Sequence, residues 1–272
     1  MGDKIIAVDL GGTNLRVSLV RNNKILKYTK NETPKSKAEL INLLFNQIER
    51  LIDKDVKGIG ISSAGPLKDG IIRNPPNLPL KNYNMKADLE KKFKVRVEVC
   101  NDAHCVALAE SKLGVKKKNF IILTLGTGIG GGIIIDGKLY EGQGFGGEFG
   151  HIILDNGKDF ESLAAWKMVK GLTKKAFGKE LLISDLVKMK NKKSEEILRQ
   201  LVNYLGQGIG SLINVFDPEC VVLAGGVREA GSVLLNKIKK QAKKYSVLPK
   251  TTPIQWSKLS HPGTLGASLL IR

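Results

Sequence analysis

The chain has 272 residues, of which 42% are hydrophobic, together with 30 glycines, 9 prolines and a formal net charge of +18. This length and apolar content allow one large or two modest globular domains and exclude a collagen-like or low-complexity protein. No apolar run approaches the length of a membrane span, and the N-terminus lacks the pattern of a signal peptide. We therefore expect a compact cytoplasmic protein with no membrane partner.

The cysteines predict free thiols. The three of them, Cys100, Cys105 and Cys220, are unevenly spaced and stand in apolar segments. Such positions fit buried thiols in a reducing compartment better than disulfides or a metal site.

The charge of +18 leaves two interpretations open. A strongly basic protein can bind nucleic acid. However, the lysines form scattered clusters with few aromatic residues among them, whereas proteins that stack on bases interleave aromatic side chains. Solvated, lysine-rich helix faces are therefore the favoured interpretation, and nucleic acid is not expected as a partner. The excess charge would still attract small anionic substrates such as nucleotides.

Two distant segments, 4–26 and 119–140, follow one pattern. Each contains an apolar strand, a Gly/Thr turn, a second strand, a tight turn and the beginning of a third strand. The spacing of the two segments agrees to within one residue. This duplication predicts two similar lobes, each of which contributes one glycine turn to a shared cleft.

The rest of the first lobe alternates helices and strands. Its predicted elements are, in chain order, a helix over 36–52, a buried strand from 57, an irregular proline-rich segment from 73, a helix over 85–93, a strand from 95 and a helix over 103–113. Ser36 and Glu39 form a capping-box signal at the first helix. A buried strand rich in Gly and Ile is typical of a sheet that is covered on both faces.

The second lobe becomes helical after its hairpin strands. Its predicted elements are helical structure from 161, a helix over 195–216, a buried strand from 220, a helix from 231 and a closing helix over 265–271. Gly206, Gly208 and Gly210 lower the helix propensity of the long helix, and we expect them to allow a close approach of backbone or ligand. We therefore divide the chain into an N-terminal α/β lobe over 1–114, completed by the C-terminal helix 264–272, and a C-terminal α/β lobe over 115–263.

The first glycine turn has the chemistry of a phosphate site. The motif DLGGTN places Asp9 at the end of a strand and follows it with Gly11, Gly12, Thr13 and Asn14. Glycines allow positive φ and let backbone N–H groups approach a phosphate, while the Thr hydroxyl can donate and the carboxylate can hold a metal-bound water. A plain hairpin turn is the alternative.

The second turn, LGTGIGGG, contains Gly126, Gly128 and Gly131 in a G-x-G-x-x-G pattern. A strand follows it where a dinucleotide-binding fold needs a helix, and neither turn ends in the Lys of a Walker loop. A second phosphate-binding hairpin is the interpretation that remains. Gly225 and Gly226 would let an adenine ring lie against bare backbone, although a strand-to-helix turn needs glycine in any case.

Asn101 and Asp102 stand where a buried strand gives way to a helix. Phosphoryl transfer needs a base for the hydroxyl proton, donors for the phosphate charge and accurate positioning. Asp102 is the candidate base, and Asn101 is a candidate ligand of a substrate hydroxyl. The alternative is that Asp102 only caps the helix.

A further polar cluster follows in the second lobe. The stretch GFGGEFGH carries Glu148 and His151, and Glu161 stands a short distance beyond. Two carboxylates and an imidazole are suited to polyol hydroxyls. No cysteine pair stands nearby to complete a zinc site with His151.

Taken together, these segments resemble the ROK family of sugar kinases. The resemblance runs essentially from end to end and rests on DLGGTN, SAGP with the NPPNLP loop, NDA, LGTGIGGGIIIDGKLYEGQGFGGEFGH and PECVVLAGGV. It implies an α/β fold of two ribonuclease-H-like duplicated domains, the actin-like ATPase fold, with an interlobe cleft.

The resemblance also assigns roles. It implies that Asp102 is the general base and that the sugar is bound by Gly65, Asn77, Asn101, Asp102, Glu148, His151 and Glu161. The nucleotide is expected at Asp9, Gly11, Gly12, Thr13, Asn14, Gly126, Thr127, Gly128, Gly225 and Gly226.

One segment departs from the family pattern. Many members carry a cysteine-rich zinc segment after the His, but here His151 is followed by IILDNGKDFESLAAW, without a cysteine. We expect no structural zinc site, and Mg²⁺ only with ATP, near Asp9. Repressors of the family begin with a DNA-binding module, whereas this chain starts with its first strand, so a repressor is not expected.

The implied activity is ATP-dependent phosphorylation of a hexose, with glucose to glucose 6-phosphate as the first choice. N-acetylmannosamine, N-acetylglucosamine and fructose remain open as substrates, and ADP and polyphosphate remain open as donors. A homo-oligomer, with a dimer as the expected form, would bind the hexose and the nucleotide. The non-kinase alternative is a sugar-sensing or nucleic-acid-binding regulator that has lost catalysis.

Overall fold

The computed structural model describes residues 2–75 and 77–271. Met1 of the predicted first lobe, Pro76 of the NPPNLP loop and Arg272 of the predicted closing helix lie outside the described residues. The chain forms two compact units. The described residues of Met1–Gly114, Glu141–Phe145 and Leu259–Arg272 build the first unit, and Val115–Tyr140 and Gly146–Lys258 build the second.

The first unit begins with a three-stranded antiparallel ribbon and continues with alternating helices and strands. Its elements are β1 (Lys4–Leu10), β2 (Asn14–Arg21), β3 (Lys24–Glu32), α1 (Lys37–Glu49), β4 (Val56–Ser63), β5 (Leu67–Lys68), β6 (Ile71–Ile72), β7 (Tyr83–Asn84), α2 (Met85–Phe93), β8 (Arg96–Asn101) and α3 (Asp102–Leu113). Five of these strands form a sheet in the order β3-β2-β1-β4-β8.

The second unit opens in the same way and is richer in helix. Its elements are β9 (Phe120–Leu125), β10 (Ile129–Ile135), β11 (Lys138–Leu139), β12 (Ile153–Asp155), β13 (Lys158–Asp159), α4 (Phe160–Ala164), α5 (Trp166–Phe177), α6 (Ile183–Met189), α7 (Lys192–Phe216), β14 (Cys220–Ala224), α8 (Gly231–Tyr245) and β15 (Ile254–Trp256). Its main sheet has the order β11-β10-β9-β14-β15. The last helix, α9 (Pro262–Leu269), belongs to the first unit.

The two sheets have the same topology. In each, the first three strands pair antiparallel, and the first strand then pairs parallel with the fourth, which pairs parallel with the fifth. This repetition confirms the duplication that the segments 4–26 and 119–140 predict. Strands β4 and β14 are buried along most of their length, as expected for strands that are covered on both faces.

The long helix α7 shows why its glycines are needed. A Cβ on Gly208 would meet the ring of Phe160, and one on Gly206 would meet the Gln241 side chain of α8. At Gly210, an added Cβ would lie 2.6 Å from the Cβ of Tyr245. The close approach predicted for these glycines is thus one between α7 and its neighbours α4 and α8. The packing offsets the lower helix propensity of glycine.

Several boundaries differ from the predictions. Helix α1 starts as expected, with the Ser36 hydroxyl accepting a hydrogen bond from the Glu39 N–H at 3.4 Å, but it ends at Glu49. Helix α7 starts at Lys192, because the Asn191 side chain accepts from the Ser194 N–H at 2.9 Å and caps the helix three residues earlier.

Other differences concern whole elements and the division of the chain. Helix α6, the hairpin of β12 and β13 and the edge strand β15, all of them short, were not predicted from the sequence. The structure groups Glu141–Phe145 and Leu259–Arg272 with the first unit, whereas the sequence division begins the closing helix at 264. Among the described residues, no helix combines the length and the apolar character needed to cross a bilayer.

Helix α9 packs tightly in the first unit, against β1, β4 and α3. A Cβ on Gly60 of β4 would meet the backbone carbonyl oxygen of Ala267 in α9. A Cβ on Gly266 of α9 would meet the carbonyl oxygen of Cys105 in α3. Backbone therefore lies directly on backbone at both contacts, and only glycine leaves room for it.

Candidate active site

The first glycine turn is a short loop between β1 and β2. The Gly11 N–H donates to the carbonyl of Asn14 at 3.0 Å, and the Thr33 hydroxyl donates to the carbonyl of Gly11 at 2.6 Å. Thr13 is exposed at the tip of the turn. The residue that follows β3 thus anchors the loop, and the exposed Thr13 lies at its tip.

Asp9 is paired across the ribbon with Arg16. The two residues stand opposite each other in the register of β1 and β2, and the Arg16 guanidinium donates to Oδ2 of Asp9 at 2.9 Å. Burial raises the pKa of Asp9, and the charge and hydrogen bond of Arg16 oppose that rise. Asp9 is therefore a carboxylate with one oxygen already bonded.

Two predicted sugar-binding positions adjoin this region of the first unit. A Cβ on Gly12 would lie 2.5 Å from the Cβ of Asn77, so the loop carrying Asn77 packs directly on the first turn. Gly65 has a φ of +90° and would place a Cβ 2.6 Å from that of Pro75. Both glycines are required by local geometry, the second because positive φ strains any other residue.

Asn101 and Asp102 share the start of α3. Oδ1 of Asn101 accepts from the N–H groups of Ala103 at 2.9 Å and His104 at 3.3 Å, which makes Asn101 the N-cap. Asp102 is the first residue of the helix, and its Oδ1 accepts from the Ala103 N–H at 2.8 Å. The Asn101 amide also approaches the carbonyl of Gly65 at 3.5 Å. Capping of α3 is thus the task of Asn101, and the Asp102 carboxylate stands at the positive end of the helix dipole.

A thiol and imidazole cluster surrounds this junction. Cys100, His104 and Cys105 are buried, and Cys100 and His104 flank the Asn101–Asp102 pair. A hydrogen bond from Cys105, together with His104, holds the pKa of the Cys100 thiol below its ordinary value, although burial opposes this. Burial raises the pKa of Cys105. The three cysteines are buried and none of them is in a disulfide, as predicted.

The second glycine turn lies between β9 and β10. The Gly126 N–H donates to the carbonyl of Gly128 at 3.0 Å, and the Trp166 N–H donates to the carbonyl of Gly126 at 3.1 Å. Gly126 and Thr127 are exposed, and a Cβ added to Gly126 would meet nothing within 4 Å. The turn therefore presents open backbone on one side and is anchored by α5 on the other.

Glu161 is bonded to this turn. Its Oε2 accepts from the Ile129 N–H at 2.8 Å, and a Cβ on Gly128 would collide with the same carboxylate. The residue predicted to bind sugar thus also supports the predicted nucleotide turn, within one unit. Gly128 is needed because the carboxylate occupies the space that a side chain would take.

This bond gives a prediction for the second unit. Glu161→Ala is expected to speed hydrogen exchange of the Ile129 amide by about tenfold or more, since a hydrogen bond to a charged group contributes about 1.5–3 kcal/mol. Amide exchange followed by NMR measures it. Glu148→Ala is the matched control, because Glu148 is exposed and its side chain makes no capping bond. An unchanged Ile129 exchange rate in Glu161→Ala would contradict the assigned bond.

The loop carrying Glu148 and His151 packs on β10. A Cβ on Gly131 would meet the carbonyl of Gly147 and the ring of Phe149. The third glycine of the G-x-G-x-x-G pattern therefore serves packing and not a phosphate. His151 is exposed, and its Nδ1 lies 3.5 Å from Oδ2 of Asp159.

Asp159 was not singled out from the sequence. Its Oδ1 accepts from the Ser162 N–H at 2.8 Å and caps α4, the helix that carries Glu161. Hydrogen bonds from Ser162 lower the pKa of Asp159, and His151 adds to this. The pairing of His151 with Asp159 thus links the predicted sugar-binding imidazole to the helix of Glu161.

Gly225 and Gly226 follow β14 and are exposed. Gly225 has a φ of +100°, and a Cβ there would meet the backbone of Leu125, the last residue of β9. In the second unit the structure therefore brings the predicted nucleotide positions at 126–128 and 225 to the ends of adjacent parallel strands. Ligands of open α/β sheets bind at such strand ends.

Arg16, Asp159 and the pairing of Cys100 with His104 were not singled out from the sequence. The position of Arg16 could have been found, because Asp9 and Arg16 stand symmetrically about the turn of a predicted hairpin. The four-residue spacing of Cys100 and His104 gave no signal, since it spans a strand end and a helix start.

Comparison with known proteins agrees with this architecture. The ROK family matches the chain over residues 5–272. Glucokinase of Thermotoga maritima is 30% identical over 312 residues, which cover 99% of this chain and 97% of that protein. A ROK family glucokinase of Streptomyces griseus, solved in complex with glucose and AMPPNP, has a TM-score of 0.87 at 25% identity over 98% of each chain.

Relatives of a different kind also match. The xylose repressor of Bacillus subtilis is 32% identical over 199 residues, which cover 68% of this chain and 52% of the repressor. Similarity alone therefore does not separate a kinase from a regulator. The match over nearly the whole length, the repeated sheet topology and the paired glycine turns agree on the larger grouping: the chain belongs to the ROK family.

Proposed function

We propose that this protein is an ATP-dependent sugar kinase that phosphorylates the 6-hydroxyl of glucose. The observation that carries the proposal is the start of α3. Asn101 caps the helix there, and Asp102 is the first helical residue with its carboxylate at the positive helix end. Asn101 supplies the N-cap oxygen for the N–H groups of Ala103 and His104, and this supports a role for the Asp102 carboxylate beyond capping.

The chain's own residues divide the work of phosphoryl transfer. Asp102 accepts the proton of the sugar hydroxyl as the phosphoryl group is transferred. Gly12 and Thr13 of the first turn and Thr127 and Gly128 of the second bind phosphate oxygens through backbone N–H and hydroxyl groups. Gly11 and Gly126 shape the two turns, since their own N–H groups donate within the loops. Gly225 and Gly226 contact the base. Asn77, Asn101, Glu148, His151 and Glu161 bind the sugar hydroxyls.

Magnesium would accompany the nucleotide. Mg²⁺ prefers carboxylate and water ligands and neutralises phosphate charge. Asp9 would hold it through water, because Oδ2 of Asp9 already accepts the bond from Arg16. A water-mediated contact fits this arrangement better than direct bidentate coordination.

Glucose is the preferred substrate because relatives named glucokinase cover almost the whole chain, and one of them was solved with glucose and AMPPNP. A coupled assay tests this with glucose, fructose, mannose, N-acetylglucosamine and N-acetylmannosamine, each with ATP, ADP and polyphosphate. We expect the highest kcat/KM with glucose and ATP. If kcat/KM were more than about tenfold higher for an N-acetylhexosamine, a difference of about 1.4 kcal/mol in transition-state stabilisation, the proposed substrate would be wrong. The assignment as a sugar kinase would still hold.

A regulator is the second candidate, and two observations favour it: the net charge of +18 and the similarity to a xylose repressor. Such a protein would bind DNA with an affinity that falls steeply with salt, and it would not turn over ATP. Measuring DNA retention at low and high salt alongside the kinase assay distinguishes the two candidates. DNA retention without turnover of any sugar would support the regulator.

A further inference from the structure

Three potential metal ligands meet in the first unit, outside the family residues assigned above. Sγ of Cys100, a ring nitrogen of His104 and a carboxylate oxygen of Glu141 all lie within 4.8 Å of one another. Cys100 and His104 are buried, with 8% and 4% of their surface exposed, and Glu141 is exposed. The cluster is thus closed on the protein side and open towards solvent.

Two of the ligands are held by rigid elements. Cys100 stands at the end of β8, where Ser62 of β4 pairs with it in the sheet. His104 is in the first turn of α3, and its backbone N–H donates to Asn101 at 3.3 Å. Glu141 belongs to the segment Glu141–Phe145, which follows β11 of the second unit in sequence but packs with the first unit. Cys100 and His104 are thus fixed in position, and the exposed Glu141 carboxylate can reach an ion bound to them by small side-chain rotations.

The donor set selects the kind of ion. Tetrahedral Zn²⁺ binds thiolate at about 2.3 Å and imidazole at about 2.0–2.1 Å, which places neighbouring ligand atoms about 3.5 Å apart. Separations of up to 4.8 Å are therefore close to those needed. A thiolate and an imidazole favour Zn²⁺ over Mg²⁺ or Ca²⁺, which take oxygen ligands. Three protein ligands leave a fourth position for water.

We infer that Cys100, His104 and Glu141 form a Zn²⁺ site with an open fourth coordination position. The site differs from the zinc segment that many family members carry after the His, since it includes neither His151 nor any residue following it. It revises the expectation that Cys100 is only a buried thiol. The site does not depend on kinase activity, and its readouts are those of metal binding.

The test uses the full chain, freed of metal with a chelator and kept reduced with a phosphine. Titration with Co²⁺ is expected to give one equivalent bound per chain, with a near-ultraviolet thiolate-to-cobalt charge-transfer band that Zn²⁺ displaces. Cys100→Ser is expected to abolish the band. Glu141→Gln is expected to weaken Zn²⁺ binding by about tenfold to a hundredfold or more, the range measured for loss of a group that supports a metal site.

Matched variants test the assignment of the ligands. Cys220→Ser removes another buried thiol in the second unit, and Glu32→Gln removes another exposed carboxylate of the first unit, so both should bind Co²⁺ and Zn²⁺ like the unaltered chain. Glu141 is exposed, so Glu141→Gln should fold, and its Zn²⁺ affinity can be measured even if Cys100→Ser fails to fold. The absence of a charge-transfer band in the reduced protein, or Zn²⁺ affinity unchanged by Glu141→Gln, would overturn the proposal.

Discussion

Asp102→Asn is expected to lower kcat by about 10²–10⁴-fold, the usual contribution of a general base, with hexose affinity nearly unchanged. The amide is isosteric and keeps an oxygen that can accept from the Ala103 N–H, the bond that Oδ1 of Asp102 makes at 2.8 Å. It cannot take up the hydroxyl proton. Steady-state kinetics with glucose and ATP measure the loss, and calorimetry of glucose binding measures the retained affinity.

A control variant separates the loss of the catalytic base from the loss of a negative charge at the helix N-terminus. Asp88 is also an acidic residue in the first turn of a helix of the same unit, and it is exposed. Asp88→Asn removes a similar charge near a helix N-terminus, worth about 0.3–1 kcal/mol, and should leave kcat unchanged. Full turnover by a folded Asp102→Asn protein would rule out this carboxylate as the base and leave the metal site untouched.

Gly266→Ala is expected to reduce the free energy of unfolding of the first unit by about 3 kcal/mol, the upper range for overpacking a core. The new methyl group would meet the carbonyl oxygen of Cys105, so α9 or α3 must shift as a whole. A backbone atom cannot rotate away as a flexible side chain can. Chemical denaturation followed by circular dichroism, together with the melting temperature, measures the loss.

The chain offers a matched glycine. Gly171 is exposed within α5, and a Cβ there would meet nothing within 4 Å. Gly171→Ala should therefore raise stability by about 0.5–1 kcal/mol, since alanine is the better helix former. Equal behaviour of the two variants would mean that Gly266 is not held against α3 as described.

Local patterns were enough to predict much of the first unit. The turn at 10–15 and the alternation of β1 and β2 fix the register of the ribbon, which is why Asp9 and Arg16 face each other. The strand end and helix start at Asn101 and Asp102 were readable from the change of apolar period. The sequence did not show which of the two residues caps α3, because both Asn and Asp side chains are good N-caps.

Contacts between distant segments could not be predicted. The bond from Ile129 to Glu161 joins residues on either side of a glycine-rich loop, and no spacing rule connects them. The proximity of Glu141 to Cys100 and His104 depends on the backbone path of residues 141–145. That segment has no regular secondary structure, so no sequence pattern predicts its path. Short elements such as α6 could not be predicted, because seven residues are too few to show a clear helical period of apolar positions.

The position of α9 has a consequence for biosynthesis. Strands β1 and β4 and helix α3 are covered by a helix that the ribosome makes long after them. Roughly 150 residues separate the end of α3 from the start of α9, so at 5–20 residues per second the nascent first unit waits about 7–30 s for its final helix. During that interval the faces around Gly60 and Cys105 are open to chaperones, and the first unit can complete its fold only after the second unit has been translated.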